Sequence, residues 1–490
     1  MDAAASYSQW RDLAREHDKA SGAADWQLID QSNRYDNAQI RKRLDTLRYH
    51  RKHGDNQGLL FTLNEGLHGN MGGMGRDKLY EVAKVGTKQL IHDYVDEIAN
   101  ALEHIASLDQ REVSHEQKLD FFQRASHCYG RTALMLSGGG ALGHFHVGVT
   151  KSLLEQGLLP QVISGSSAGS VITALMGSLS DEELREMTQP ARLLEEAKEE
   201  VSWVDRLLFG GSGQIDVAGM EQMISRLIPD LTFQEAYERT GRHINISVAP
   251  AELHQTSRLL NAIASPNVYI RTAVMASCAV PGVYPPVMLE AQNVQGKRQP
   301  YLPTRRWVDG SVSDDLPAKR LSRLYGVNHY IGSLINPIIM FAGDNPQSVL
   351  PLPGSLRTAG HWGAARLARF STTITQRYTR QWPRFNLLIN MVTSILNQKY
   401  TADISIYPDF RKFDMRKILS HLSEEELVNL VNQGVRATWP QLERIRISTK
   451  ISQTLDRIMA EYGEQPLLHN VRKQSAHKKT TKLSTRKKAS

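Results

Sequence analysis

Cysteine is almost missing from this chain. Cys128 and Cys278 are the only two in 490 residues, far apart and in no metal-ligand spacing. That argues against a cysteine-held metal, and a reducing compartment is the expected setting. Long apolar runs are missing too, since none reaches the roughly 18 residues that a membrane-crossing helix needs. The nearest stretches, 273–289 and 330–343, are interrupted by Pro281, Pro285, Pro286 and Pro337. No transmembrane helix is expected. The first ten residues have neither a basic n-region nor an apolar h-region, so no signal peptide is expected. A cytoplasmic protein is expected, with any membrane or lipid association peripheral.

Acidic residues are absent from two stretches. The last twenty residues hold eight lysines and arginines and no acid. The net charge is +8, so without this tail the body is formally neutral. From 466 onward the tail lacks a core pattern and is expected to be disordered and solvated. It makes nonspecific contact with acidic lipid or nucleic acid conceivable and specifies no nucleic-acid partner. The second stretch, 345–402, has no Asp or Glu. It carries Arg357, Arg366, Arg369, Arg377, Arg380, Arg384 and Lys399 among Trp362, Phe370, Tyr378, Trp382 and Phe385. A basic, aromatic-rich amphipathic stretch suits an anionic membrane surface. Helices packed on a catalytic domain, their arginines paired with distant acids, would give the same composition, and both readings stand.

What is present points to two or three domains with a large core, given the length and a 41% hydrophobic content. Residues 1–130 carry apolar residues at helical spacing over 35–47 and 77–102, around a five-glycine loop at 66–75. A helical accessory domain is expected there. From 131 to about 340, short apolar runs alternate with helical patterns. Strands are expected at 132–136, 159–164, 245–249, 306–308 and 329–334, with helices at 141–156 and 168–179. Such alternation predicts a mostly parallel sheet covered on both faces, an α/β fold with ligands at the carboxyl ends of the strands. A helical extension over 341–465 follows, with 423–446 read as a helix opened by a Ser423-to-Glu426 capping box.

Two glycine turns sit at strand ends. Gly138-Gly139-Gly140 follows the apolar run 134–136, and Gly165-Ser166-Ser167-Ala168-Gly169 follows the next strand. The second fits a nucleophile elbow, a turn so tight that the residues two before and two after the serine must be small. The first offers closely approaching N–H groups for an oxyanion at Gly138, Gly139 and Gly140. Gly138, Gly140 and Gly143 also match the dinucleotide fingerprint. That fingerprint wants an acid about 20 residues on to hold a ribose, and here the next strand ends in the serine elbow instead. An N-capping serine at a helix start is the chemistry-free alternative for Ser167.

A serine nucleophile needs a base. Asp309, in Trp307-Val308-Asp309-Gly310-Ser311, would stand at a strand end facing the same crevice, unless it only forms an Asp-Gly turn. Asp314 and Asp315 read as a helix start. His329, His361 and His421 follow the acid, as a triad histidine would, but none sits in a glycine-flanked loop. His144 and His146 lie on the helix leaving the glycines and read as packing or lining. The residues prefer a Ser-Asp dyad to a triad.

Ser137 to Gly143, Gly165 to Gly169 and Asp309 to Ser311 resemble the three signatures of the patatin-like phospholipase family. The resemblance extends through Met275 to Pro286, Asp315-Leu316-Pro317 and Val327-Asn328-His329. The stretches 64–75 and 85–88 resemble the domain preceding patatin in the storage-triacylglycerol lipases of yeast and plants and their bacterial relatives. The resemblance implies a three-layer α/β/α fold and hydrolysis of glycerolipid acyl esters. It implies Ser167 as nucleophile, Asp309 as base and Gly138, Gly139 and Gly140 as oxyanion hole, with no histidine, cofactor or metal. Many patatins carry Arg or Lys where this chain has Leu142, a departure that would either shift preference from charged head groups towards neutral lipid or only mark the lipase-like branch. The expected partner is a membrane or lipid-droplet surface, engaged through 345–402 and the tail. Two other classes stay open: a lipid-surface scaffold with a decayed site, and a nucleotide-binding oxidoreductase.

Overall fold

The computed structural model describes residues 1, 3–189, 192, 217–252, 256–281, 284–311, 315–336, 402–409 and 422–462. The described residues of Met1–Thr132, Ser322–His329 and Trp439–Ser490 form one compact unit, and those of Ala133–Leu321 and Tyr330–Thr438 the other. Most of 345–402, and the tail from 466, lie outside the described residues, and with them the membrane-surface and disorder expectations. No described helix is long and apolar enough to cross a membrane.

The first unit is helical, as its spacing predicts. Helix Asn37–His53 turns Ile40, Leu44 and Leu47 inward, and Gln89–Ser107 contributes Leu90, Ile91, Tyr94, Ile98 and Leu102. These are i, i+3, i+4 and i+7 positions, one stripe of each helix. Phe121 and Phe122 of His115–Tyr129, and Ile451, Leu455 and Ile458 of Leu442–Glu461, complete the same core. The helix expected at 77–102 begins only at Gln89. Before it, Gly86 adopts φ +73° and Lys88 is fully buried. Lys88 Nζ donates to the carbonyls of Trp26 (2.6 Å) and Ile29 (2.7 Å) and lies 3.9 Å from the Trp26 ring centroid. The 85–88 stretch is thus a chain crossing tied down by one lysine. The helix expected at 423–446 is two, Glu424–Thr438 and Leu442–Glu461. Pro440, which has no N–H to continue the helical ladder, lies at the break. The capping box is present, with Ser423 N–H donating to Glu426 at 2.9 Å and Glu426 N–H to Ser423 Oγ at 3.3 Å.

The second unit is built on a mostly parallel sheet. Its strands are β1 (Arg131–Leu136), β2 (Val162–Gly165), β3 (His243–Pro250), β4 (Arg258–Leu260), β7 (Trp307–Asp309), β8 (Val327–Ser333) and β9 (Ile404–Ile406). Between β4 and β7, β5 (Glu290–Gln292) and β6 (Arg298–Pro300) form a separate small ribbon. The order across the sheet is β4-β3-β2-β1-β8-β9, with β7 also running along β3. The β1/β2, β2/β3 and β8/β9 pairs are parallel, and β4 and β7 are antiparallel to β3. Every residue of β2 and β3 is buried, so both faces of the sheet are covered, which makes the three α/β/α layers.

Register decides where the site falls. Leu136 of β1 is opposite Gly165 of β2, so Ser137-Gly138 and Ser166-Ser167 leave the sheet side by side. Asp309 ends β7 opposite Val248 of β3, within the same sheet. The helix following the glycine loop, His144–Glu155, is held by an unusually close partner, Glu424–Thr438. A Cβ on Gly148 would lie 1.9 Å from the Val431 carbonyl oxygen, and one on Gly434 2.2 Å from that of Phe145. Only glycine lets these two backbones meet.

Candidate active site

The elbow is shaped by steric exclusion. A Cβ on Gly165 would sit 2.2 Å from the Gly169 carbonyl oxygen, and one on Gly169 2.4 Å from that of Leu136. Ser167, between them, has φ +50° and ψ −126°, a strained conformation for any residue with a side chain. It is half-buried, so its hydroxyl is reachable, and it opens helix Ala168–Ser178, whose first N–H groups favour negative charge.

The strain is held in place by the stretch Met275 to Ala279. Ser277 Oγ accepts the Ser167 N–H at 3.0 Å and donates to the Ser247 carbonyl at 2.8 Å. Cys278 Sγ lies 3.5 Å from the Ser167 carbonyl oxygen, and the Ala279 carbonyl accepts the Asp309 N–H at 2.9 Å. Three consecutive residues therefore bracket Ser167 and Asp309 together. From sequence this stretch carried only a family resemblance; its work is long-range and leaves no local pattern.

Asp309 is almost fully buried, and the Ser167 side chain lies close enough to favour its charged form. Short strand β7 is anchored by the fully buried Trp307, whose backbone exchanges two 2.8 Å hydrogen bonds with Val287. Burial pushes the Asp309 carboxyl up to about 6, against hydrogen bonds from Ser311 and Ser167 that favour the charged form. The Ser311 N–H donates to its Oδ1 at 2.8 Å. Burial and the Asp309 charge push the Cys278 thiol up to about 12, so it is no rival nucleophile at neutral pH.

The glycine loop is anchored by His146. Its Nε2 lies 2.9 Å from the Ser137 carbonyl and its Nδ1 2.7 Å from Ser333 Oγ. Burial pushes this imidazole down to about 4. It is neutral at pH 7, with Nε2–H donating and Nδ1 accepting, and both nitrogens are engaged. His146 therefore packs and orients. His329 pairs with Thr132 Oγ1 at 3.1 Å, and His361 and His421 lie outside the described residues.

The three loop amides differ. Gly138 is buried, and its N–H donates to Asp315 Oδ1 at 2.8 Å. Gly139 is half-buried and Gly140, at φ +58°, is exposed. Among the described residues neither N–H meets an acceptor. A Cβ on Gly138 would lie 3.2 Å from the Cβ atoms of both Ser167 and Ser311, so the loop runs directly past the elbow serine and the turn that follows Asp309. Leu142 is fully buried, so this position acts through packing. Among the described residues no three His, Cys, Asp or Glu side chains gather as a metal site requires.

The arrangement joins a strained, accessible hydroxyl, a buried carboxylate able to take its proton, and two unoccupied amides beside a helix N-terminus. Residues 134–321 match the family described as patatin-like phospholipase, and residues 1–127 match a domain of unknown function, DUF3336. The chain is 33% identical to triacylglycerol lipase SDP1L of Arabidopsis thaliana, over 93% of this chain and 57% of that protein. It is 31% identical to triacylglycerol lipase ptl2 of Schizosaccharomyces pombe, over 93% of this chain and 74% of that one. It thus spans little more than half of the Arabidopsis relative's length. Among solved structures, VipD of Legionella pneumophila is similar at 14% identity and a TM-score of 0.28, over 62% of this chain and 67% of that one, a likeness too slight to carry an argument.

Proposed function

This chain belongs to the patatin-like phospholipase family, and from that premise we propose that it is a serine acyl hydrolase cleaving fatty-acyl esters of glycerolipids. The observation carrying the proposal is that residues 277–279 bind both the backbone of Ser167, on a strained elbow, and that of Asp309, whose carboxyl is buried. Asp309 takes the hydroxyl proton as Ser167 Oγ attacks the ester carbonyl carbon. The carbonyl oxygen gains negative charge and is met by the N–H groups of Gly139 and Gly140 and the start of helix Ala168–Ser178. The glycerol oxygen leaves with the proton from Asp309, and an acyl-Ser167 ester remains. Water then attacks it, giving its proton to Asp309, and the fatty acid departs as Ser167 recovers its hydrogen.

A carboxylate is ordinarily a weak base at neutral pH. Burial raises the Asp309 value to about 6, nearer the working range, while leaving it largely ionised at pH 7. His146 supplies no proton step, since both its nitrogens are committed. On this reading 131–340 performs the chemistry, 1–130 is accessory, and 345–402 with the tail brings the protein to a membrane or lipid-droplet surface.

The test is product analysis by mass spectrometry after incubation with mixed phospholipid and triacylglycerol vesicles. Wild type should release free fatty acid and Ser167→Ala none. The accompanying lysolipid or diacylglycerol names the substrate. Equal release by both proteins would sink the assignment.

A further inference from the structure

Asp315 reads in the sequence as the start of a helix, and helix Ala318–Tyr325 does follow it closely. Its carboxylate, 1% exposed, has another place. Oδ1 accepts the Gly138 N–H at 2.8 Å and also the Ser166 hydroxyl. Gly138 is the first residue of the glycine loop after β1. Ser166 immediately precedes Ser167 in the elbow after β2. One oxygen atom thus joins the two turns on which the reaction depends.

We propose that Asp315 is a positioning residue that clamps the glycine loop to the nucleophile elbow and so sets the distance between the oxyanion donors and Ser167 Oγ. The inference rests on the hydrolase reading above. Three features of the geometry support it. The loop has no slack here, since even a methyl group on Gly138 would press on Ser167 and Ser311 at 3.2 Å. With the Gly138 N–H committed inward, the next two amides are the ones left towards the opening. One acceptor serves both donors, so the two turns cannot shift apart without losing a bond, and Asp315 acts by geometry. Errors of about 1 Å in such placement can cost about 100-fold in rate.

Both donors meet the same oxygen, so an asparagine, which keeps an Oδ1 acceptor, should largely replace Asp315. The experiment measures kcat and KM on a soluble p-nitrophenyl ester, per serine titrated with a fluorophosphonate. Asp315→Ala is expected to lower kcat about 100-fold with KM within about threefold. Asp315→Asn should retain kcat within about fivefold. Both should keep the acid limb of the pH profile near 6, set by Asp309. Ser166→Ala, a small change that removes one donor, should cost about tenfold in kcat. Wild-type kcat per titrated site in Asp315→Ala overturns the clamp, as does an asparagine variant as slow as the alanine one. If Asp315→Ala does not fold, Ser166→Ala decides, and wild-type kcat there overturns it. A wild type that neither turns over ester nor labels at Ser167 overturns the hydrolase reading, and the clamp with it.

Discussion

Ser167 and Asp309 are tied to one short stretch: the Ser167 N–H donates to Ser277 Oγ at 3.0 Å and the Asp309 N–H to the Ala279 carbonyl at 2.9 Å, with the Asp309 carboxyl almost wholly shielded from water. Burial dominates, and the carboxyl is pushed up to about 6. Only the ionised form accepts a proton. The expected kcat/KM therefore rises with pH through about 6 and levels above it. A pH profile on a neutral ester checks this, and a limb near the ordinary carboxylate value would remove Asp309 as the base.

The same shift makes Asp309 a burden on the fold. A carboxyl whose folded value is raised contributes most favourably below its unfolded value, and that contribution is lost as pH climbs through about 6. Ionised and buried, it costs about 3 kcal/mol above that window. Asp309→Asn is expected to be inactive yet to melt higher than wild type at pH 8, with the gap closing towards pH 4. Thermal unfolding at both pH values would show it, and a variant less stable than wild type at pH 8 would contradict it.

Ser167 holds its backbone at φ +50° and ψ −126°, where a side chain is a disadvantage. Ser167→Gly and Ser167→Ala should be equally inactive. The glycine variant should be the more stable of the two by about 1–2 kcal/mol, because it alone relieves the strain. Urea denaturation separates them.

Ser277 is the acceptor for the Ser167 N–H. Ser277→Ala leaves that donor without its partner, at an expected cost of about 1–2 kcal/mol in stability. It should also lower kcat about tenfold, since the elbow loses a constraint, with the pH limb unmoved. Denaturation and steady-state kinetics on one preparation test both.

The parts of this site that could be read from sequence are those enforced locally. Gly165 and Gly169 announce the elbow because a Cβ at either would strike a backbone oxygen, and that exclusion is written in the residues themselves. The parallel sheet is legible because short apolar runs differ from stretches of period 3.6 within a few residues. Asp315 was hidden because an aspartate before Leu-Pro has a sufficient local explanation as a helix start. Its real partners, Gly138 and Ser166, meet it only through the register of β1 and β2. Ser277 was hidden in the same way. Pro440 stands in plain view in the sequence, yet the apolar spacing of 423–446 runs through the break, so periodicity alone joins two helices into one.

The meeting of Gly148 and Gly434 bears on where this gene can be cut. The matched family span stops at residue 321, yet the helix that carries the glycine loop is closed by residues 424–438. A recombinant protein ended near 321 would leave the Gly148 groove open, with Phe145 and Val149 beside it losing cover in a fold that needs them buried. Such a fragment would hold every reactive group named above and still be a poor candidate for an active enzyme.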